Sequence, residues 1–395
     1  MEIKPEIETF AKIKVVGAGG SGNAALQRMI QNNIKGVEFI AVNTDAQALH
    51  HTDAQTKIHI GKTLTRGLGA GMDPSVGKAA AEESIEEIHE AVKGADMVFV
   101  SCGLGGGTGT GAAPVIAQAA RDAGALTVAV ITKPFDFEGA QRKAIAQSGL
   151  EELQEKVDTM IVVPNDRIFQ VIDKKTTLLE AFSIVDEVLF QGVQSISDLI
   201  TVPGLVNVDF ADVRAVMRDA GSALMGMGRA SGEERAAQAA KQAVDSPLLE
   251  LSINGAKGIL FNVTAGEDLG MVEIDEAAKI ITESVDPNAK VIFGAVIDPD
   301  MGDEMKVTVI ATGFEGGGRP VSMSRGFMVP HSARKESAAA RPAEPARPSA
   351  PIFGMPFKTQ EVARVAATPS HSSESESANE NELDIPAFIR KKMKK

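Results

Sequence analysis

The stretch GLGGGTGTGAAP, residues 103–114, has five glycines among the seven residues from Gly105 to Gly111, and the other two are threonines. Glycine loses more backbone freedom on folding than any other residue, so a run this dense implies a task that side chains would obstruct. An apolar run, Met97–Cys102 (MVFVSC), precedes it and a helical pattern over Gly111–Ala123 follows it. A helix start presents unpaired N–H groups and the positive end of the helix dipole, and glycine lets the main chain close around an anion there. The run therefore reads as a phosphate cradle of main-chain amides, with the Thr108 and Thr110 hydroxyls as further donors. The alternative is a turn that only lets strand and helix pack closely.

Two further glycine loops favour the cradle. VVGAGGSGN (15–23) follows the first strand pattern and opens the first helix, and RGLGAGMDP (66–74) leads into a helix with Pro74 at its start. Three such loops in one sheet suggest a polyphosphate surrounded from several sides. The P-loop spacing GxxxxGK[ST] is absent; its nearest imitation, Gly71 to Gly77-Lys78, has five intervening residues and ends in Ala79. The base motif NKxD of switch GTPases is absent too.

The loops sit in an alternation of strands and helices. Lys12–Gly17, Glu38–Asn43, Met97–Cys102, Leu126–Thr132 and Thr159–Pro164 are short apolar runs, with helical segments at Ser21–Asn33, Pro74–Lys93, Gly111–Ala123 and Gly139–Lys156. Continuously apolar strands of this kind belong to a mostly parallel sheet covered on both faces. Apolar residues at helical spacing from Thr176 to Ile200 then predict a helix of roughly 36 Å, long enough to cross a domain. A second unit with strands near 222–229, 258–265, 290–297 and 306–312 and helices near 209–219, 233–244 and 273–285 reads as α+β. Residues 317–381 are rich in Ala, Pro, Ser, Glu and Arg without periodicity, the composition of a disordered linker. Pattern returns at ELDIPAFIRKK, 382–392.

The expected organisation is α/β: an N-terminal tail (1–11), a Rossmann-like nucleotide domain (12–175), a long central helix (176–200), an α+β domain (201–316), a linker (317–381) and a peptide (382–395). Net charge is −13, which disfavours a nucleic-acid groove, although the last eight residues, FIRKKMKK, are basic. The single cysteine, Cys102, excludes a disulfide framework and fits a reducing compartment. No metal-ligand set is apparent: the six histidines form no HExxH-like pair, and His50 and His51 read as surface residues. MEIKPEIETFAKIKVV lacks the profile of a secretory signal, so the expected location is cytoplasmic.

GGGTGTG (105–111) resembles the signature of the tubulin/FtsZ superfamily. VNTDAQAL (42–49), LTRGLGAG (64–71), FEGAQR (137–142), PNDR (164–167), QGVQSISDLIT (191–201), NVDFADVR (207–214) and LDIPAFIRKK (383–392) extend the likeness to its cell-division GTPases, over residues 12–316 and the tail peptide. The resemblance implies binding of GTP and GDP with Mg²⁺, an activation domain, and head-to-tail filaments that build a division ring at midcell, on the inner face of the membrane. It implies that Gly19, Gly20, Ser21, Gly22 and Asn23 line the nucleotide pocket with Gly71, and that Gly106, Gly107, Thr108 and Gly109 hold the β- and γ-phosphates. Glu138 would contact ribose and Arg142 phosphate; Asn165 and Asp186 would read the guanine edge, with Phe182 stacked on the base. Three positions depart from the usual pattern. Ala24 stands where an asparagine commonly helps hold guanine, Met72-Asp73 replaces Ala-Asn, and Leu104 replaces Met. Selectivity would then rest more on Asn165 and Asp186.

Asp209 and Asp212, three residues apart, have a plain reading as the cap and first-turn acid of a helix. The resemblance adds another: Asn207, Asp209 and Asp212 enter the neighbouring subunit's pocket and orient the attacking water, and a cap position does not exclude that role. The peptide 383–392 would dock onto membrane-tethering division proteins such as the actin-like anchor FtsA, without inserting into the membrane itself. Two rivals stand beside this reading. A nicotinamide-dependent oxidoreductase is suggested by Gly17-x-Gly19-x-x-Gly22, with Asp45 near the end of the second strand. The other is a tubulin-like filament with no role in division.

Overall fold

Side chains of a strand alternate between the two faces of its sheet, and here both faces are apolar. In a computed structural model, residues 11–314 are described, apart from 171, 174, 203, 207 and 247–251. The expected linker, the tail peptide and Asn207 lie outside the described residues. Strands β1 (Ile13–Ala18), β2 (Val37–Asn43), β3 (Thr56–His59), β4 (Met97–Gly103), β5 (Leu126–Lys133) and β6 (Thr159–Pro164) run parallel. Between and after them lie α1 (Gly19–Gln31), α2 (Ala46–His50), α3 (Lys62–Thr65), α4 (Pro74–Glu83), α5 (Ile85–Val92), α6 (Thr108–Asp122) and α7 (Ala140–Gln154).

Val15, Phe39, Phe99 and Val128 pack on one face of this sheet against Leu26 and Met29 of α1. Val16, Ile40, Val98, Val100 and Ala129 pack on the other, against the alanines and Ile116 of α6 and Leu153 of α7. Burial on both sides explains the uninterrupted apolar runs of the sequence. The single helix expected over 74–93 is two helices. Ser84, at φ −107° and ψ 22°, ends α4 and begins α5. Strand β3 and the short helices α2 and α3 are too brief to register as a periodic pattern.

Helix α8 (Leu178–Thr201) follows the expected central pattern, and its start is a capping box. Glu180 Oε2 accepts from Thr177 N at 2.7 Å, and Thr177 Oγ1 accepts from Glu180 N at 3.3 Å. Next come α9 (Phe210–Met217), β7 (Gly221–Ser231), α10 (Arg235–Val244), β8 (Gly258–Ala265), α11 (Met271–Glu283), β9 (Lys290–Ile297) and β10 (Glu304–Thr312). These strands continue the first sheet, giving one ten-stranded order β3-β2-β1-β4-β5-β6-β7-β10-β8-β9. The joint is β7. Its first three residues pair parallel with Thr159–Ile161 of β6, and Leu224–Ser231 pair antiparallel with β10. β10 and β8 are antiparallel, while β8 and β9 are parallel, which accounts for the mixed order read from the sequence.

The parallel half gives the sheet two unlike rims. The loops after β1, β4, β5 and β6 gather at the carboxyl ends. Helix α9 lies at the amino ends: Gly221 N, just past it, donates to Asp158 O at 2.9 Å, and Arg214 Nη2 donates to Asp96 O at 3.4 Å. Helix α8 connects the rims. Its far end reaches the loop before β2, where Thr201 Oγ1 donates to Lys35 O at 3.5 Å.

Candidate functional site

The carboxyl-end rim encloses a cavity of about 510 Å³. Gly20 and Ser21 from the start of α1 line it, with Gly69, Ala70, Gly71 and Met72 from the loop after α3, and Gly106, Gly107, Thr108 and Gly109 at the start of α6. The third loop is separated from β3 by α3, so it reaches the cavity by a longer route than the other two. Opposite these loops stand Glu138, Arg142, Asn165, Phe182 and Asp186.

The glycines act through close approach. A Cβ on Gly107 would fall 2.9 Å from both Asp73 N and the Ala70 Cβ, where the loop 103–109 meets the loop 66–73. Gly19 has φ +73°, and a Cβ there would lie 2.7 Å from Gly109 N, so the α1 and α6 loops interlock through main chain. The loop 66–73 also holds two non-glycine residues in the left-handed region, Arg66 (φ 54°) and Met72 (φ 65°). Such conformations are costly for residues with a Cβ and cluster at ligand-binding loops.

Hydroxyls brace the loops. Ser21 Oγ accepts from Gly103 N at 2.9 Å, and Thr110 Oγ1 accepts from Gly105 N at 2.9 Å. Thr110 is buried and used by the loop itself, unlike its expected role as an outward donor. Thr108 Oγ1 lies 2.6 Å from the buried Thr44 hydroxyl. Glu138 accepts from Phe135 N at 2.8 Å and forms an ion pair with Arg142 one helical turn away. Phe182 meets Phe135 edge-on at 5.6 Å, which fixes a half-exposed ring at the cavity wall.

Several polar atoms here are buried without a hydrogen-bond partner among the described residues: both amide atoms of Asn23, Asn43 Nδ2, Ser101 Oγ and Asn165 Oδ1. Unpaired buried polar atoms are costly, and a polar ligand would relieve those that face the cavity. Burial raises Asp186 to about 6, against the opposing influence of Arg28. Asn43, Asp45 and Thr132 also line the cavity. The Asn of VNTD at the end of β2 was the available signal for the first. Asp45, the acid that suggested a nicotinamide site, is the N-cap of α2, accepting from Gln47 N at 2.8 Å and Ala48 N at 3.1 Å.

Gly19, Gly22 and Asn23 are buried in α1 and are not among the cavity-lining residues. The two acids are elsewhere altogether. Asp209 is the N-cap of α9, accepting from Ala211 N at 3.4 Å, and Asp212 stands in its first turn. Both are exposed at the opposite rim.

Glycine main chain at a helix start, two converging loops and a partly buried carboxylate beside a half-exposed ring define an α/β nucleotide-binding protein. Residues 12–173 match the GTPase domain of the Tubulin/FtsZ family, and residues 221–315 match the C-terminal domain of the FtsZ family. An empty FtsZ dimer from M. jannaschii is 48% identical, covers 78% of this chain and 89% of its own, and superposes with a TM-score of 0.74. A point mutant of M. jannaschii FtsZ, also 48% identical over 78% of this chain and 92% of its own, gives 0.75. CetZ2 from Haloferax volcanii, a GTPγS-bound protofilament, shares the fold at 22% identity and a TM-score of 0.67 over 78% of this chain and 95% of its own. The chain belongs to the Tubulin/FtsZ family and is a GTPase. Among the described residues no helix is long and apolar enough to cross a membrane.

Proposed function

We propose that this GTPase assembles head to tail, each cavity being completed by the α9 acids of the next copy, and that the filaments build the bacterial division ring at midcell. One observation carries the reading. Asp209 and Asp212 are exposed at the rim opposite the cavity, separated from it by strands of six to eight residues, a span of roughly 20 Å. No chain can bring them to its own nucleotide, whereas a stacked copy can.

Within the cavity, the main-chain amides of Gly20, Ser21, Gly71 and Gly106–Gly109 hold the phosphates, with Gly19, Gly22 and Asn23 supporting the first loop. Arg142 offers a guanidinium fork to phosphate oxygens, and Glu138 takes the ribose hydroxyls. Asn165 and ionised Asp186 take the guanine edge, Asp186 accepting from its N1 and N2 donors, which adenine lacks, and Phe182 covers the base. Asp209 and Asp212 of the adjacent copy, with Asn207, orient and polarise the attacking water.

Among the described residues no three His, Cys, Asp or Glu side chains converge as a metal cage. That donor set suits Mg²⁺ carried on the triphosphate, which keeps phosphate and water oxygens as most of its ligands. Bound there, it offsets the phosphate charge that two carboxylates would otherwise repel. Loss of the γ-phosphate weakens the joint, so filaments turn over.

The tail peptide 383–392, with Leu383, Ile385, Phe388 and Ile389 beside a basic cluster, suits docking into a groove of a membrane-tethering division protein of the FtsA kind. Deleting 383–395 should leave polymerisation intact and abolish recruitment to the membrane. The central test is GTPase rate per molecule against protein concentration, with light scattering recorded alongside. The rate should be near zero when dilute and rise at the onset of scattering; a flat specific activity refutes the shared site.

A further inference from the structure

The amino-end rim holds a second, smaller cavity of about 70 Å³, lined by Arg121, Arg214 and Arg218, by Asp158 and by the turn 124–126. This is well above the roughly 10–15 Å³ that a single water occupies on such a measure. Three arginines line it, on a chain whose net charge is −13.

Two of the three are held in place. Arg121 pairs with Asp219 at 2.6 Å and lies 3.8 Å from Asp158, which is 5% exposed and accepts from Thr127 N at 2.9 Å. Arg214 sits over the Phe210 ring, 5.0 Å from its centroid, and donates to Asp96 O at 3.4 Å. The guanidinium of Arg218 has no hydrogen-bond or ion-pair partner among the described residues. The main chain of the turn is already satisfied: Gly124 N donates to Arg121 O, Ala125 N to Ala120 O and Leu126 N to Asp96 O. The side chains, three arginines and Asp158, therefore determine what this notch accepts. Asp158 and Asp219 are engaged with Arg121, and the Asp96 carboxylate accepts from Lys12 N at 2.8 Å while its main-chain oxygen takes Arg214, which leaves the Arg218 guanidinium without an ion-pair partner among the described residues.

We propose that the notch is a binding site for a small tetrahedral oxyanion, inorganic phosphate, gripped by the forks of Arg214 and Arg218 with Arg121 behind them. Phosphate is the product this GTPase releases. Resting on the head-to-tail reading above, the notch lies on the same helix as the acids. Arg218 is the C-cap of α9, six residues beyond Asp212 and so roughly 9 Å from it, so phosphate leaving the joint passes it.

The test uses the full chain below its assembly concentration, with the upper cavity filled by a non-hydrolysable GTP analogue. Inorganic phosphate is titrated while the side-chain signals of labelled arginines are followed by NMR. Arg214 and Arg218 should shift saturably, Arg218→Ala should weaken the titration about tenfold, and Arg218→Lys should fall between. Analogue affinity should not change in either variant. Unmoved arginine signals, or wild-type titration in both Arg214→Ala and Arg218→Ala, would overturn the site. Acetate shifting the same signals as strongly would reassign the notch to a carboxylate of a neighbouring copy and also overturn it. Because the protein is unassembled throughout, the outcome is independent of whether the shared-site reading survives.

Discussion

At the carboxyl ends of β1 and β4 the chain presents glycine main chain, braced by hydroxyls, with the loop 66–73 closing over it. At the amino ends, on α9 and beside β5 and β6, it presents charged side chains: two exposed acids and three arginines. The first rim is interlocked, since Gly107 and Gly19 leave no room for a Cβ against the adjoining loops. The second rests on a helix of eight residues. The difference follows from what each must do. A rim that grips a polyphosphate has to be set before the ligand arrives. A rim that acts on a neighbour's ligand needs projecting side chains.

The sharpest way to break this contrast is to disable one rim and read the other. Asp212→Asn should leave GTP affinity unchanged, because the residue is remote from its own cavity. It should lower phosphate release by roughly 10²–10⁴-fold, the usual worth of a positioned acid or base. It should also poison wild-type filaments on mixing. Normal turnover would remove Asp212 from the chemistry.

The converse variant is Gly107→Ala. The added methyl cannot fit beside Asp73 N and Ala70, so the loops 103–109 and 66–73 must part. GTP affinity should fall by about 10–100-fold, as expected for roughly 1–3 kcal/mol of strain from overpacking. Equilibrium titration measures it. Gly106→Ala is the control, since nothing lies within 4 Å of a Cβ there. An equal loss in both variants would argue against close approach as the reason for the glycines.

Much of the gripping rim was legible in the sequence, and little of the geometry that separates the rims. Glycine runs, capping residues and apolar strands are local patterns, so the loops and α8 could be placed from residues alone. The direct pairing of β6 with β7 could not. It joins segments about sixty residues apart through three pairs, and no local signal marks it. Asp45 shows the opposite hazard: an acid at the right distance from a glycine fingerprint is a helix cap. Thr110 is similar, since sequence gives a hydroxyl in a phosphate loop but not the Gly105 amide that engages it. The notch leaves no local pattern in the sequence, because Arg121, Arg214 and Arg218 meet only once α6 and α9 are folded onto the same rim.

Proton linkage tests the gripping rim more gently. Burial raises Asp186 to about 6, so below that pH its neutral form dominates in the free protein. Accepting guanine's two N–H donors needs the carboxylate, and a bound guanine would lower its pKa again. GTP affinity should therefore fall as pH drops through 6, by at most about tenfold per pH unit. Asp186→Asn should bind more weakly, without this dependence. An unchanged pH profile in Asp186→Asn would assign the titration to another group.

The smallest effect concerns the joint between β2 and the cradle. The Thr44 and Thr108 hydroxyls meet at 2.6 Å, and Thr44 is fully buried. Thr44→Val keeps the branched shape and removes the hydroxyl, so Thr108 loses the group that orients it. One neutral hydrogen bond is worth about 1 kcal/mol net, which corresponds to roughly fivefold in GTP affinity. Phosphate release at saturating GTP should remain near wild type, because the acids of the opposite rim are untouched. If Thr44→Val instead cut release without weakening binding, the two rims would be coupled through β2, and their separation into gripping and acting parts would fail.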